Sequence, residues 1–318
     1  MKGSMAIYGT VGLVVLLLAA AAVFFLWTPD KPLAQLEAKY LRAPTDMKQV
    51  LGVRLHVRDS GPRDAPAVLM LHGFGSSMHT WEKWADDFAK DMRVISLDLP
   101  GSGLSSPDPT DDYSDARSIA VILALLDQLG IPKLAVIGNS IGGRIAWTLA
   151  AKYPQRVSAL VLVSPDGFAS PGFEYGKVPE VPAMLGLIRY TLPRWMLKMS
   201  LVDAYANPAV LTPELAQRYH DLMLAPGSRD ALMKRMQQTV LVDPLPHLRR
   251  ISAPTLLLWG RIDGMIPFDN AQDYLQAIAN SRLEALDGVG HLPQEEAPER
   301  SAAVVRAFLQ EKLKETKL

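Results

Sequence analysis

The chain contains no cysteine. That absence excludes a thiol nucleophile, a cysteine-ligated zinc, a disulfide framework and lipoprotein acylation. It leaves the redox compartment open, because a cysteine-free protein survives in either one. There is no surplus of charge: 33 basic residues balance 33 acidic ones. A nucleic-acid partner, which draws a basic excess, is therefore not expected. No H-E-x-x-H run and no clustered carboxylate–histidine spacing occurs, so no metal and no other cofactor is expected. Internal repeats and low-complexity tracts are also missing. Apolar residues are plentiful, at 49% of 318. They suffice for one large core plus a small appendage.

Charge is absent over one long stretch. No charged residue stands between Lys2 and Asp30. Residues 6–27 are apolar all round and long enough to cross a bilayer core at about 1.5 Å per residue. Trp27 at the end suits the headgroup region. A signal-peptide cut after alanines 19–22 would leave the apolar run 23–27 as a new terminus. The expectation is an uncleaved single-pass anchor over residues 1–30, with the membrane as location and partner. The flanking charges do not decide on which side the remainder lies.

Residues 31–49 hold Pro32 and Pro44 with mixed charge. They read as a juxtamembrane linker carrying one helix, 33–41. From residue 50 onward strand and helix alternate. Residues 52–59 alternate apolar and polar side chains like an edge strand. The runs 67–71, 93–97, 134–137, 159–163 and 255–259 are short and apolar, as strands covered on both faces are. A further strand is expected at 282–286. Helices are expected at 81–90, 114–129 and 141–153, the last two stopped by Gly130 and Pro154. This rhythm predicts an α/β fold with a mostly parallel sheet and helices on both faces. It breaks between 165 and 246, where three helices and no strand are expected. The organisation predicted is a core of 50–164 and 247–318 with a helical cap insertion at 165–246.

The sharpest chemical signal is Gly138-Asn139-Ser140-Ile141-Gly142, a G-x-S-x-G turn. An apolar strand runs into it and a helical sequence runs out. Small neighbours let strand and helix pass closely. The turn pushes the Ser140 hydroxyl outward at a helix N-terminus, where developing negative charge is favoured. Serine needs a base. His291 follows a strand in the glycine-bracketed stretch Gly288-Val289-Gly290-His291. A carboxylate must hold that ring in the right tautomer. Asp263, in the loop after the strand 255–259, fits that role, and Asp166 after the strand 159–163 is the alternative. The order serine, aspartate, histidine is the one found on a doubly wound hydrolase sheet.

With these motifs, nearly everything after residue 50 resembles the α/β-hydrolase superfamily, in its serine esterase and lipase branch. Leu71-His72-Gly73-Phe74-Gly75 is similar to the family's H-G-x segment. The resemblance implies an oxyanion hole made by the backbone N–H groups of Phe74 and Ile141. His72 is expected to hold that loop, and Asp98-Leu99-Pro100-Gly101 is expected to be a structural turn. Superfamily members that open epoxides or remove halide carry aspartate at the elbow, so Ser140 argues against those activities. The leading expectation is hydrolysis of carboxylic esters, lipid-like or otherwise apolar, through an acyl-enzyme. The N-terminal span, serine elbow and helical cap are similar to membrane monoacylglycerol lipases and bacterial lipases. Two alternatives stand beside it. One is carbon–carbon hydrolysis of ring meta-cleavage products, whose hydrolases often carry an asparagine before the serine, as Asn139 does here. The other is a non-catalytic scaffold on the same fold.

Overall fold

The computed structural model describes residues 11, 13, 25–170 and 173–315. Its strands are β1 Met47–Val50, β2 Val53–Ser60, β3 Ala67–Leu71, β4 Arg93–Leu97, β5 Leu134–Ser140, β6 Val157–Pro165, β7 Thr255–Gly260 and β8 Ser281–Leu286. They form one 8-stranded sheet in the order β1-β2-β4-β3-β5-β6-β7-β8. β2 is antiparallel to both neighbours, and β4 through β8 pair in parallel. From residue 33 onward the helices of the described residues are, in chain order, α1 Leu33–Tyr40, α2 Glu82–Phe88, α3 Asp115–Gln128, α4 Ile141–Lys152, α5 Arg194–Val202, α6 Pro213–Met223, α7 Ser228–Gln238, α8 Leu245–Leu248, α9 Asn270–Ala277, α10 Pro293–Glu296 and α11 Pro298–Glu315.

The apolar runs become central strands because both faces are covered. Successive side chains of a strand point to opposite faces. In β3, Leu69 and Leu71 join a cluster with Leu125 and Ile145, from α3 and α4. Val68 and Met70 point the other way, against Trp84, Phe88 and Phe308. Trp81 and Trp84 lie wholly inside this second cluster. α3 starts where Ser114 accepts a hydrogen bond from Arg117 N, an N-cap that satisfies an otherwise orphaned donor.

One strand escapes the sequence pattern. Residues 52–59 do not form the sheet edge, because the four-residue β1 pairs outside them. Leu51 and Gly52 link the two strands with φ of 49° and 87°, the signature of a tight two-residue hairpin. In Met47-Lys48-Gln49-Val50 two polar residues stand side by side, so no alternation registers. Between β6 and β7 the described chain forms helices α5 to α8. Pro193, which cannot sit in a helix interior, separates a 3-10 turn Ala183–Arg189 from α5.

The expected membrane anchor and membrane location require correction. Most of residues 6–27 lie outside the described residues. Among those described, no helix is long and apolar enough to cross a membrane. Trp27, expected at a headgroup interface, stacks instead on Tyr190 with ring centroids 5.9 Å apart. Next to it, Thr28 N donates to Tyr190 O at 2.9 Å.

The stretch expected as a linker is a strap bound across the α5–α7 region. Leu36 of α1 is buried with Leu104, Leu222 and Ala225. Asp221 of α6 receives Lys31 at 2.6 Å, Lys39 at 2.8 Å and the Tyr40 hydroxyl at 2.7 Å. Asp30 pairs with Arg229 at 2.6 Å. Replacing Asp221 with alanine is expected to lower stability by about 1–3 kcal/mol. It should also speed proteolysis N-terminal to residue 42. Denaturant unfolding and limited digestion followed by mass spectrometry check both.

Candidate functional site

The strands β3, β5, β7 and β8 deliver their following residues to one edge of the sheet. In an open parallel sheet the crevice beyond the carboxyl ends is where ligands bind. Ser140 is the last residue of β5, and His72, Asp263 and His291 follow β3, β7 and β8. The predicted nucleophile Ser140 ends β5 and caps α4, with φ 55° and ψ −122°. A non-glycine residue avoids that region unless its surroundings force it. The forcing is visible at Gly142, where a Cβ would come within 2.3 Å of Leu71 O. Helix and strand thus approach closer than any side chain allows, and the chain must turn sharply at residue 140.

His291 Nδ1 and Asp263 Oδ2 are 2.9 Å apart. Asp263 Oδ1 accepts from Met265 N at 2.8 Å and Ile266 N at 2.9 Å. Both carboxylate oxygens are therefore occupied by donors. Burial pushes the Asp263 carboxyl up, but His291 and these backbone donors hold it below its ordinary value. It stays ionised, as a group stabilising an imidazolium must. The alternative acid, Asp166, is engaged elsewhere: its carboxylate pairs with Arg144. Burial raises the Asp166 carboxyl, and Arg144 opposes that rise.

Ser140 is half-buried, and its hydroxyl has no hydrogen-bond partner among the described residues. The tie between elbow and histidine loop runs through Asn139. Its side-chain nitrogen donates to Val163 O and to His291 O, each at 3.1 Å. Asn139 thus fixes the backbone of residue 291 against the nucleophile turn.

The Phe74 amide stands in the loop after β3, and the Ile141 amide at the first turn of α4. Gly73 packs directly on the elbow, where a Cβ would meet Ser140 Cβ at 3.2 Å. His72 accepts from Leu99 N on Nε2 at 3.0 Å, so its Nδ1–H donates to Gly73 O at 2.8 Å. Burial keeps this ring neutral by lowering its pKa. Asp98 accepts from His56, Met78 N and Leu104 N. It thereby knots the loops after β3 and β4 behind the site. No group of residues able to hold a metal occurs among the described residues.

His79, beside this knot, adds a pH term. Arg58 donates to its Nε2 at 3.1 Å, and its Nδ1 lies 3.2 Å from Ser77 Oγ. Burial lowers its pKa to about 4, the pull of Asp98 notwithstanding, and the Arg58 charge adds to the lowering. Between pH 4 and 6.5 the unfolded chain binds a proton there that the folded chain refuses. Stability therefore rises with pH across that window, by up to about 3 kcal/mol from this group. His79→Gln is expected to flatten the urea-unfolding stability between pH 4.5 and 7 relative to wild type. Parallel curves for the two proteins would count against this assignment.

Sequence reasoning missed Arg144. It is buried one turn after Ser140, held by Asp115 at 2.8 Å and by Asp166. Its position four residues past the elbow was readable, but its two carboxylate partners come from distant segments. The cap methionines divide: Met233 is buried, Met223 and Met236 are half-buried, and Met184, Met196 and Met199 are exposed. Packing therefore explains only some of them.

Comparison with known proteins agrees with this architecture. Residues 66–298 match the family described as alpha/beta hydrolase fold. The chain is 32% identical to 2-hydroxy-6-oxononadienedioate/2-hydroxy-6-oxononatrienedioate hydrolase 2 of Pseudomonas putida, over 82% of this chain and 93% of that protein. It is 27% identical to epoxide hydrolase 4 of Mus musculus, over 82% of this chain and 77% of that protein. Among solved structures, a bacterial membrane phospholipase A superposes with a TM-score of 0.70 at 25% identity. That match covers 95% of this chain and 98% of the other.

Proposed function

The chain belongs to the α/β-hydrolase family, and on that premise we propose that it is a serine hydrolase that cleaves a carbon–carbon bond next to a ketone, as in ring meta-cleavage products. Ser140 attacks the carbonyl carbon and gives its proton to His291, which Asp263 orients. The N–H groups of Phe74 and Ile141 hold the oxyanion, and the carbon leaving group departs with a proton. Water then releases the acyl group from Ser140. The observation that carries the reading is the elbow itself. It presents a serine at a forced backbone conformation, preceded by an asparagine that ties it to the histidine loop. The 32% identity to a hydrolase of 2-hydroxy-6-oxo dienedioates supports the substrate class.

Epoxide opening is disfavoured in spite of the mouse relative. In this fold it requires a carboxylate nucleophile, and residue 140 is serine.

Ester hydrolysis is the second reading, and it shares every step up to the leaving group. The likeness to a phospholipase over 95% of this chain favours it. One assay separates the two. Purified protein is offered a 2-hydroxy-6-oxo-dienoate and a p-nitrophenyl ester series of increasing acyl length. The carbon–carbon reading expects the dienoate to exceed the best ester in kcat/KM by about tenfold or more. Turnover of esters with none of the dienoate would overturn it in favour of the second. Failure of both, in protein that a fluorophosphonate does not label, would leave the scaffold reading.

A further inference from the structure

Two adjacent carboxylates, Glu295 and Glu296, follow the histidine loop on the short helix α10. Glu296 faces backbone donors from two different places. Its Oε2 accepts from Gly290 N at 2.6 Å and from Ala206 N at 3.2 Å. Its Oε1 accepts from Asn207 N at 2.6 Å. Gly290 immediately precedes His291, whereas Ala206 and Asn207 belong to the segment after α5. The same two pieces of chain meet again one residue on, where His291 N donates to Ala204 O at 2.8 Å. They press so close that a Cβ on Gly290 would come within 2.7 Å of Ala204 O and Ala206 N. Leu292 is buried with Ala204, Tyr205, Leu211 and Ala216.

We propose that Glu296 is a positioning residue that clamps the His291 loop to residues 204–207, so that the placement of the helical insertion sets the placement of the imidazole. The inference rests on His291 acting as the base of Ser140. Three N–H groups converge on one carboxylate, and bonds to an ionised acceptor are the strong kind. Without it, Gly290 N, Ala206 N and Asn207 N lose their acceptor together. Of the backbone bonds between this loop and residues 204–207, the one from His291 N to Ala204 O then remains. Asp263 fixes the ring at Nδ1, and Asn139 fixes the carbonyl of residue 291. Glu296 fixes the Val289–Gly290 peptide, one link before the one that enters residue 291. A displacement of the base of about 1 Å is enough to cost about 10²-fold in rate.

The carboxylate is needed for a reason that glutamine cannot meet. Glutamine has one acceptor oxygen, and its NH₂ group would face either Asn207 N–H or the Gly290 and Ala206 pair. Glu296→Gln is therefore expected to lower kcat by about tenfold, and Glu296→Ala by about 100-fold, each with KM within about threefold of wild type. The rate at which a fluorophosphonate labels Ser140 should fall by the same factors, because labelling needs the base but no substrate pocket. Tyr205→Phe serves as comparator. It removes the neighbouring bond from the Tyr205 hydroxyl to Glu295 and leaves the three bonds of Glu296 in place. It is expected to change kcat by less than about twofold.

Unchanged labelling in Glu296→Gln would overturn the proposal. So would a loss in Tyr205→Phe equal to that in the Glu296 variants, which would point to general loosening of the insertion. If Glu296→Ala does not fold, the isosteric Glu296→Gln decides. Wild type that resists labelling would sink the parent reading and this inference together. Labelled wild type with unaffected Glu296 variants would sink this inference and leave the parent reading standing.

Discussion

Replacing Ser140 with alanine is expected to cut turnover by about 10⁴-fold or more while leaving the fold intact. The hydroxyl is the group that forms the acyl-enzyme in either substrate reading, so the loss should appear with dienoate and ester alike. The measurement is steady-state kinetics beside circular dichroism of the same preparation. Retained turnover of a few per cent would remove Ser140 from the mechanism. The same position makes a second, less obvious prediction. Ser140 sits at φ 55° and ψ −122°, a conformation that costs a side-chain-bearing residue about 1–3 kcal/mol. Glycine adopts it freely, although glycine loses about 0.5–1 kcal/mol more in backbone entropy on folding. Ser140→Gly should therefore be inactive yet more stable than Ser140→Ala, by about 0.5–2 kcal/mol. A glycine variant less stable than the alanine one would show that the elbow stores no strain.

Asp263→Asn is the second large effect, and it follows from the two sides of one carboxylate. Oδ1 is held by the N–H groups of Met265 and Ile266, and Oδ2 by His291 Nδ1. An asparagine must keep its oxygen toward the two backbone donors, since its NH₂ group cannot accept from them. The NH₂ group then faces His291 Nδ1 and donates to it. That forces the ring proton onto Nε2, the nitrogen that should accept the serine proton. The substitution is nearly isosteric, yet it supplies the wrong tautomer. A fall in kcat of about 10³–10⁴-fold is expected with little change in unfolding temperature. Fluorophosphonate labelling of Ser140 should slow in parallel. If labelling stays at the wild-type rate, Asp263 is not orienting the base. The nearby Asp166, already paired with Arg144, would then have to be reconsidered.

The parts of this molecule legible from its sequence are those set by local pattern. Short apolar runs flanked by turn residues marked the central strands, because a strand covered on both faces has no polar side to show. The elbow was readable because Gly138 and Gly142 are required wherever strand and helix cross that closely. Ser140, Asp263 and His291 were singled out as candidates by their places at the end of β5 and after β7 and β8. β1 was not readable, since Lys48 and Gln49 stand side by side and break any alternation. The span expected from residues 6–27 rested on hydropathy. Hydropathy gave no sign that Trp27 would stack on Tyr190.

Sequence by itself determined the class of fold and the candidates for nucleophile, base and acid, because turn chemistry and strand patterning act within a few neighbours. Tertiary structure decided which carboxylate meets His291, that Arg144 is already answered by Asp115 and Asp166, that Asp221 anchors the N-terminal strap, and that Glu296 joins the histidine loop to the inserted helices. Each of these is a pairing of polar groups far apart along the chain. Such groups choose partners by where the packed sheet brings them, and no local window of sequence contains that information.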